Sequence, residues 1–166
     1  FWTIQNVQPS LLATMESQYY DWLIEKYVTI DDAYAAWGGL TLDTDQPVAN
    51  RMGLYIIWEA TQPQSGGKDQ RLRDQIAFYM DAQSNFYQEV YDHLRAIGCQ
   101  QLINTTNWKT ADAARLLDAE RQTNTVADVL AVNRYYSAGH VGDNNGWRID
   151  PGHKYVGTSV LYQPNK

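Results

Sequence analysis

The chain has a single cysteine and lacks any long run of apolar residues. Because Cys99 has no second thiol to pair with, an internal disulfide scaffold and a multi-thiolate zinc ribbon are both excluded. No stretch of about 18 uninterrupted apolar residues occurs, so no transmembrane helix is predicted. The sequence also lacks the Gly-x-Gly-x-x-Gly and Walker loops that cradle nucleotides, and the Gly-x-Ser-x-Gly elbow of serine hydrolases.

Basic residues and histidines are few. Lys and Arg together number 13 against 19 Asp and Glu, which gives a formal net charge of −6. This acidic balance argues against a nucleic-acid partner and against an anionic membrane surface, since neither attracts a negatively charged protein. The 3 histidines show no spacing that is typical of metal ligands. We therefore expect no metal site and no cofactor.

Apolar and aromatic residues are well represented. With 166 residues, of which 44% are hydrophobic, the chain is long enough to form a single domain with a core. The aromatic residues are 6 Trp and 12 Tyr but only 3 Phe. Rings that carry a polar group suit sugar-binding clefts and interfaces, although they also fill ordinary cores. The first residues show neither an initiator Met nor a signal peptide, and we expect the chain to begin inside a larger protein.

Helical periodicity is strongest in the first 97 residues. A helix is predicted over residues 9–27, where apolar residues recur at spacings of three and four and Pro9 suits the first helical position. A short second helix is predicted after the capping residue Thr29 and ends at Gly38. The longest predicted helix covers residues 69–97. The apolar run at residues 52–60 fits either a strand or a buried helical turn.

In the second half of the chain, the sequence pattern predicts an alternation of helices and strands. Strands are predicted at residues 99–104 and 128–133, separated by a helix at residues 110–120, and one more strand is predicted at residues 155–162. Such alternation is typical of parallel strands that are connected by right-handed crossovers. The predicted fold class is therefore α/β.

Polar and aromatic residues follow the two central predicted strands, at the edge where parallel α/β folds collect their binding sites. Amides, hydroxyls and aromatic faces together are what a carbohydrate needs, because its hydroxyls require directional hydrogen bonds and its C–H faces stack on rings. The alternative interpretation is that these residues cap helices and order loops. The predicted substrate-binding residues are Thr106, Asn107, Trp108, Asn133, Tyr135, Tyr136 and His140.

Three motifs resemble a known family. Phe1-Trp2-Thr3, the stretch YDWLIEKY at residues 20–27 and the stretch IDDAYAAWG at residues 30–38 resemble (β/α)8-barrel glycoside hydrolases of clan A, with family 42 β-galactosidases as the closest likeness. The resemblance implies that the 1–166 domain is part of a (β/α)8 TIM barrel. Residues 1–67 would form a helical and loop insertion after strand four, and residues 68–166 would form a helix-strand-helix-strand segment.

The resemblance also implies that catalytic residues are missing. In that clan the acid/base is a Glu that follows an Asn at the end of strand four, and the nucleophile is a Glu at the end of strand seven. No Asn-Glu dipeptide occurs in this sequence, so no catalytic residue is assigned. The parent is expected to be a glycosidase, and this chain alone is expected to bind carbohydrate without turnover. Its exposed barrel edges would favour self-association.

A second interpretation stays open. The helical content of the first half and the Tyr and Trp enrichment also fit a self-contained helical module that binds another protein or a glycan.

Overall fold

The computed structural model of this chain describes residues 4–107 and 115–131. Its packing separates into two units, one ending at Asp81 and the other beginning at Ala82. Most of the described residues are helical. The α-helices among them are α1 (Pro9–Tyr27), α2 (Ile30–Ala36), α3 (Ile57–Thr61), α4 (Gly66–Ala96) and α5 (Leu117–Asn124), and two short 3-10 helices cover Ile4–Asn6 and Pro47–Ala49.

The first two predicted helices are confirmed as α1 and α2. Helix α1 begins with Pro9 in its first turn. Backbone N–H groups in the first turn have no partner within the helix, so the N–H that proline lacks costs no hydrogen bond there. It ends at Val28, whose positive φ of 71° turns the chain away. The Thr29 hydroxyl then accepts a hydrogen bond from the Asp32 backbone N–H at 3.1 Å and caps α2. Gly38, with φ of 64°, follows the end of α2.

Helix α4 supplies one wall of the first unit, and α1 packs on it through aromatic rings. The Tyr19 and Phe78 ring centroids are 5.2 Å apart, and both residues are buried. The Trp22 indole donates to Asp81 at 2.8 Å at the outer end of this contact. The remaining buried apolar residues of this core include Leu23, Ala33, Trp37, Met52, Ile57 and Leu72.

The apolar run at residues 52–60 is partly a helical turn. Its second half lies in α3, whereas residues 52–56 lie outside any helix or strand and hydrogen-bond with residues of α1 and α4. The Gln75 amide donates to the Tyr55 carbonyl at 2.7 Å and accepts from the Tyr55 N–H at 2.8 Å. The Met52 N–H donates to the Glu16 carbonyl at 3.1 Å. Helices α1 and α4 thus provide the hydrogen bonds that a neighbouring strand would make.

The prediction of an α/β fold, and of a partial (β/α)8 barrel, is wrong. Within residues 4–107 and 115–131 there is no strand, and the predicted strands at residues 99–104 and 128–133 meet only at one isolated parallel bridge between Asn104 and Val129. The physical reason is that side chains occupy the backbone groups a sheet would use. The Asp128 carboxylate accepts from the Ile103 N–H, and Arg95 donates to the Cys99 carbonyl at 2.8 Å.

Several sequence expectations lie outside the described residues. These are the start of the helix predicted at residue 110, the last residues of the strand predicted at residues 128–133, and the strand predicted at residues 155–162. Within the described residues, α5 covers Leu117–Asn124 and so extends beyond the predicted end at Glu120. None of the helices in the described ranges has the length and apolar character needed to cross a membrane.

Candidate functional site

The parallel bridge in the second unit lies immediately before two of the predicted substrate-binding residues. Asn104 pairs with Val129, and the Asp128 and Val129 N–H groups both donate to the Ile103 carbonyl, at 3.1 and 3.3 Å. The Asn104 side chain accepts from the Ala131 N–H at 3.3 Å. These contacts hold the two segments side by side and pointing in the same direction.

Asp128 is the centre of a hydrogen-bond cluster that fixes this bridge. Its carboxylate accepts from the Ile103 N–H and the Tyr91 hydroxyl, each at 2.9 Å, and from the Arg95 guanidinium. Arg95 also donates to the Gln101 carbonyl at 2.9 Å, and its guanidinium lies 4.8 Å from the Tyr91 ring centroid. Helix α4 therefore anchors both segments of the bridge through two side chains one helical turn apart.

Interactions within this cluster stabilise the charged forms of Asp128 and Arg95. The hydrogen bond from the Ile103 backbone, followed by that from Tyr91 and the charge of Arg95, lowers the pKa of Asp128. The hydrogen bond with Tyr91 and the charge of Asp128 raise the pKa of Arg95. A carboxylate with a lowered pKa is a poor general acid, so this cluster is suited to positioning the chain rather than to proton transfer.

A second set of contacts orders the residues that follow the bridge. The Thr105 hydroxyl donates to the Asn124 side chain at 2.7 Å, and Asn124 is only 2% exposed. Thr106 is half-buried and Asn107 is exposed. The other predicted site residues, Trp108, Asn133, Tyr135, Tyr136 and His140, lie outside the described residues, so the structure does not test whether the seven come together.

A buried ionic cluster in the first unit was not predicted from the sequence. Arg71 on α4 donates to both carboxylate oxygens of Asp45, at 2.8 and 2.5 Å. The exposed fractions of the two side chains are 0% and 4%. The Arg71 guanidinium lies 4.5 Å from the Trp37 ring centroid, and it also donates to the Gly53 carbonyl at 3.0 Å.

Asp74, one helical turn further along α4, is the second carboxylate of this cluster. It is 1% exposed and accepts from the Trp37 indole at 2.7 Å, the Tyr27 hydroxyl at 2.8 Å and Lys26 at 2.6 Å. Gln70 adds a fourth donor at 3.1 Å. A buried carboxylate with four donors is satisfied, and Trp37 of the Ala-Trp-Gly motif is consequently a core residue.

The cluster around Arg71 is built for stability rather than for chemistry. Burial acts to raise the pKa of Asp45, but its hydrogen bonds with Arg71 and with the Leu42 and Gly53 backbone outweigh this, so the net pKa is lowered. Burial and the neighbouring carboxylate of Asp45 raise the pKa of Tyr34 to about 12. Neither group is therefore poised to exchange a proton near neutral pH.

One sequence signal could have indicated this cluster. Arg71, Asp74, Gln75 and Phe78 follow the spacing of three, four and seven that places residues on one helix face. Their burial shows that this face points into the core. The partner Asp45 lies 26 residues from Arg71, and no local pattern predicts a pairing at that distance.

No metal centre is found in residues 4–107 and 115–131, because no group of three or more His, Cys, Asp or Glu residues is arranged there to hold an ion. His93 is exposed on α4. Glu59 on α3, the acidic residue after the apolar run, pairs with Lys68 at 2.8 Å.

No protein-family model, curated protein or solved structure matches this chain. The resemblance to family 42 glycoside hydrolases is therefore neither supported nor refuted by known proteins, and it stays a prediction.

Proposed function

We propose that this chain binds carbohydrate through the polar and aromatic residues that follow the Asn104–Val129 bridge. The residues assigned to this site are Thr106, Asn107, Trp108, Asn133, Tyr135, Tyr136 and His140. The proposal does not require a barrel. It requires only that the two segments that carry these residues run side by side.

The observation that carries the proposal is the parallel direction of the bridge. Asn104 lies two residues before Thr106, and its partner Val129 lies four residues before Asn133. Because the segments are parallel at this point, residues 105–107 and 130–131 follow the pair at the same end. Convergence of amides, hydroxyls and aromatic rings at one end is what recognition of a sugar requires.

The anchoring of the bridge also supports a binding site. A ligand site gains affinity when its residues are held in place before the ligand arrives, since less ordering is needed on binding. Asp128 fixes the Ile103 backbone and the buried Asn124 fixes Thr105. The exposed Asn107 thus follows an ordered segment whose hydrogen bonds are already made.

The three most buried carboxylates that the structure describes are held in ion pairs, which supports binding rather than hydrolysis. Glycoside cleavage needs one carboxylic acid with a raised pKa and a second carboxylate free to attack or to activate water. Within the described ranges, the buried carboxylates of Glu16, Asp45 and Asp74 are held by Arg51, Arg71 and Lys26 respectively. We therefore propose that this chain binds a glycan and does not hydrolyse it by itself.

The test is a glycan-binding screen with the 166-residue chain, followed by titration of the tightest ligand. Loss of one stacking ring is expected to weaken binding roughly tenfold, which corresponds to about 1.4 kcal/mol. Trp108→Ala and Tyr135→Ala should each show this loss. Trp58→Ala is the matched control, because Trp58 is 51% exposed on α3 and does not belong to the proposed site.

The outcomes separate the alternatives. Unchanged affinity in both Trp108→Ala and Tyr135→Ala would remove this cluster as the site. An equal loss in Trp58→Ala would indicate that any exposed indole contributes. Release of nitrophenol from nitrophenyl glycosides by the purified chain would contradict the proposal that it binds without hydrolysis.

A further inference from the structure

The junction between α1 and α2 holds one residue in a strained backbone conformation. Val28 has φ of 71° and ψ of −43°, close to the classic γ-turn, which is rare and strained. Branching at Cβ makes a positive φ still less favourable. Val28 is 76% exposed, so packing of its own side chain does not compensate for the strain. The conformation is therefore maintained by contacts that the neighbouring residues make.

Those contacts hold both helices on α4 through one carboxylate. Lys26 and Tyr27, at the end of α1, donate to Asp74 at 2.6 and 2.8 Å. The Trp37 indole, which follows α2, donates to the same carboxylate at 2.7 Å. Because both helices are held in this way, the break between them is confined to residues 28 and 29, and Val28 takes up the strain.

The sequence of the junction is compatible with an unbroken helix. Neither Gly nor Pro lies between α1 and α2, and a helix accommodates Val and Thr at a modest cost. With Val28 in the helical region, residues 9–36 would form one continuous helix about 42 Å long. A short connection under strain favours the exchange of a structural element between two copies of a chain.

We propose that α1 exchanges between two copies of this chain, so that α1 of each copy packs on α4 of the other and continues directly into its own α2. The contacts of α1 are then remade between identical sequences. They include the ring contact between Tyr19 and Phe78, with centroids 5.2 Å apart, and the hydrogen bond from Trp22 to Asp81 at 2.8 Å. The second copy is the occupant because it supplies the same helix.

The junction decides between the single chain and the exchanged dimer, since the contacts of α1 are present in both. The buried Glu16 side chain, for example, accepts from Arg51 at 2.9 Å in either form. Strain at Val28 favours exchange, because only the broken helix requires it. The cap at Thr29, whose hydroxyl accepts from the Asp32 N–H at 3.1 Å, favours the single chain, because a continuous helix has no N-terminus at that point.

This balance predicts a dimer that depends on concentration. A short connection holds two elements at an effective concentration in the millimolar range, which exchange without strain would have to match. Strain in both junctions lowers that concentration and the loss of both caps raises it, so we expect half of the chains to be exchanged at about 10 µM to 1 mM. Exchange requires α1 to leave its core and should therefore be slow. It does not depend on carbohydrate binding.

The test is refolding of the 166-residue chain from urea over that concentration range, followed by size-exclusion chromatography with light scattering. A species of twice 19.0 kDa should form and should return slowly to monomer after dilution. Val28→Gly should lower the dimerisation constant at least tenfold, because glycine adopts a positive φ without strain. Thr29→Ala should raise it at least tenfold, because the cap that it removes stabilises only the single chain.

Matched controls place the same substitutions outside the junction. Val48→Gly changes a fully exposed valine that lies in neither α1 nor α2. Thr14→Ala removes a hydroxyl that bonds with the Ser10 carbonyl at 3.1 Å within α1, a contact that both forms contain. Both controls should dimerise like the wild type. Effects equal to those of Val28→Gly and Thr29→Ala would overturn the proposal.

The conformation of Val28 distinguishes exchange from an association of surfaces. In chains labelled with ¹³C-valine, the Val28 Cα resonance is identified by its loss in Val28→Gly. It should move to a helical chemical shift in the isolated dimer, whereas a dimer of unexchanged chains would keep the shift of the monomer. A dimer with the unchanged shift overturns the proposal, as does a chain that refolds only to monomer at every concentration.

Discussion

Replacing Arg71 by methionine is the change that most directly tests the buried ionic cluster. The guanidinium is fully buried and makes two hydrogen bonds with Asp45. Methionine fills much of the same space without charge, so the substitution removes the ion pair while limiting the cavity. It leaves the Asp45 carboxylate buried, with only neutral donors from Leu42, Gly53 and Tyr34.

The expected loss of stability follows from that uncompensated charge. Removing one partner of a buried ion pair costs about 3–5 kcal/mol, because the remaining charge stays away from water. Arg71 also donates to the Gly53 carbonyl, and the loss of this contact acts in the same direction. With a urea dependence of roughly 2 kcal/mol per molar, the unfolding midpoint should fall by about 2 M.

The assay is urea unfolding followed by circular dichroism at neutral pH. Arg73→Met is the matched control on the same helix, since the Arg73 side chain is 71% exposed and pairs with Asp69 four residues earlier. Exposed pairs of this kind contribute less than about 0.5 kcal/mol. The control should therefore unfold within about 0.3 M urea of the wild type.

A double-mutant cycle with Asp45→Asn identifies the pair itself. In the Arg71→Met background, Asp45→Asn should cost at least about 1.5 kcal/mol less than in the wild type, because the charge it removes has already lost its partner. A cost below about 1 kcal/mol for Arg71→Met, or strictly additive effects, would refute the reasoning that this pair organises the core.

Two further predictions concern the same core. Because the folded pKa of Asp45 is lowered from 3.8, its contribution to stability is present above that pH and is lost as the pH falls through the lower folded value. Asp45→Asn should therefore flatten the decline of the unfolding free energy below about pH 4. Gly67→Ala should destabilise by about 3 kcal/mol in a urea titration, because its Cβ would lie 1.7 Å from the Trp37 carbonyl oxygen. Gly66→Ala has open space and should cost only about 1 kcal/mol for its positive φ; equal effects at the two glycines would contradict the steric argument.

The helices could be predicted from the sequence because their signals are local. The start of α1 is marked by Pro9 and the start of α2 by Thr29, and these residues act on backbone groups within one turn. The apolar periodicity that predicts α4 is also a local signal. The boundaries of α1, α2 and α4 agree with the prediction to within about three residues, whereas α5 ends at Asn124, beyond its predicted end at Glu120.

The strands could not be predicted correctly, because apolar composition does not show which groups form hydrogen bonds with the backbone N–H and carbonyl groups. Residues 99–104 and 128–131 have the composition of buried strands, yet they make one bridge instead of a ladder. Their N–H and carbonyl groups bind Asp128, Arg95 and the Asn104 side chain. Such contacts join residues that are up to about thirty positions apart, and no periodicity reports them.

In both units, side chains of α4 form hydrogen bonds with the backbone of a segment that is neither helix nor strand. In the first, Gln75 of α4 binds both polar groups of Tyr55, and in the second, Arg95 of α4 binds the carbonyls of Cys99 and Gln101. A long helix with polar side chains on its packing face can thus replace a neighbouring strand. This explains why a chain with two strand-like segments forms a mostly helical structure. It also means that the Asp128 and Arg95 side chains, together with the backbone hydrogen bonds to the Ile103 carbonyl, hold the Asn104–Val129 pair. The proposed glycan site therefore depends on these contacts rather than on a sheet.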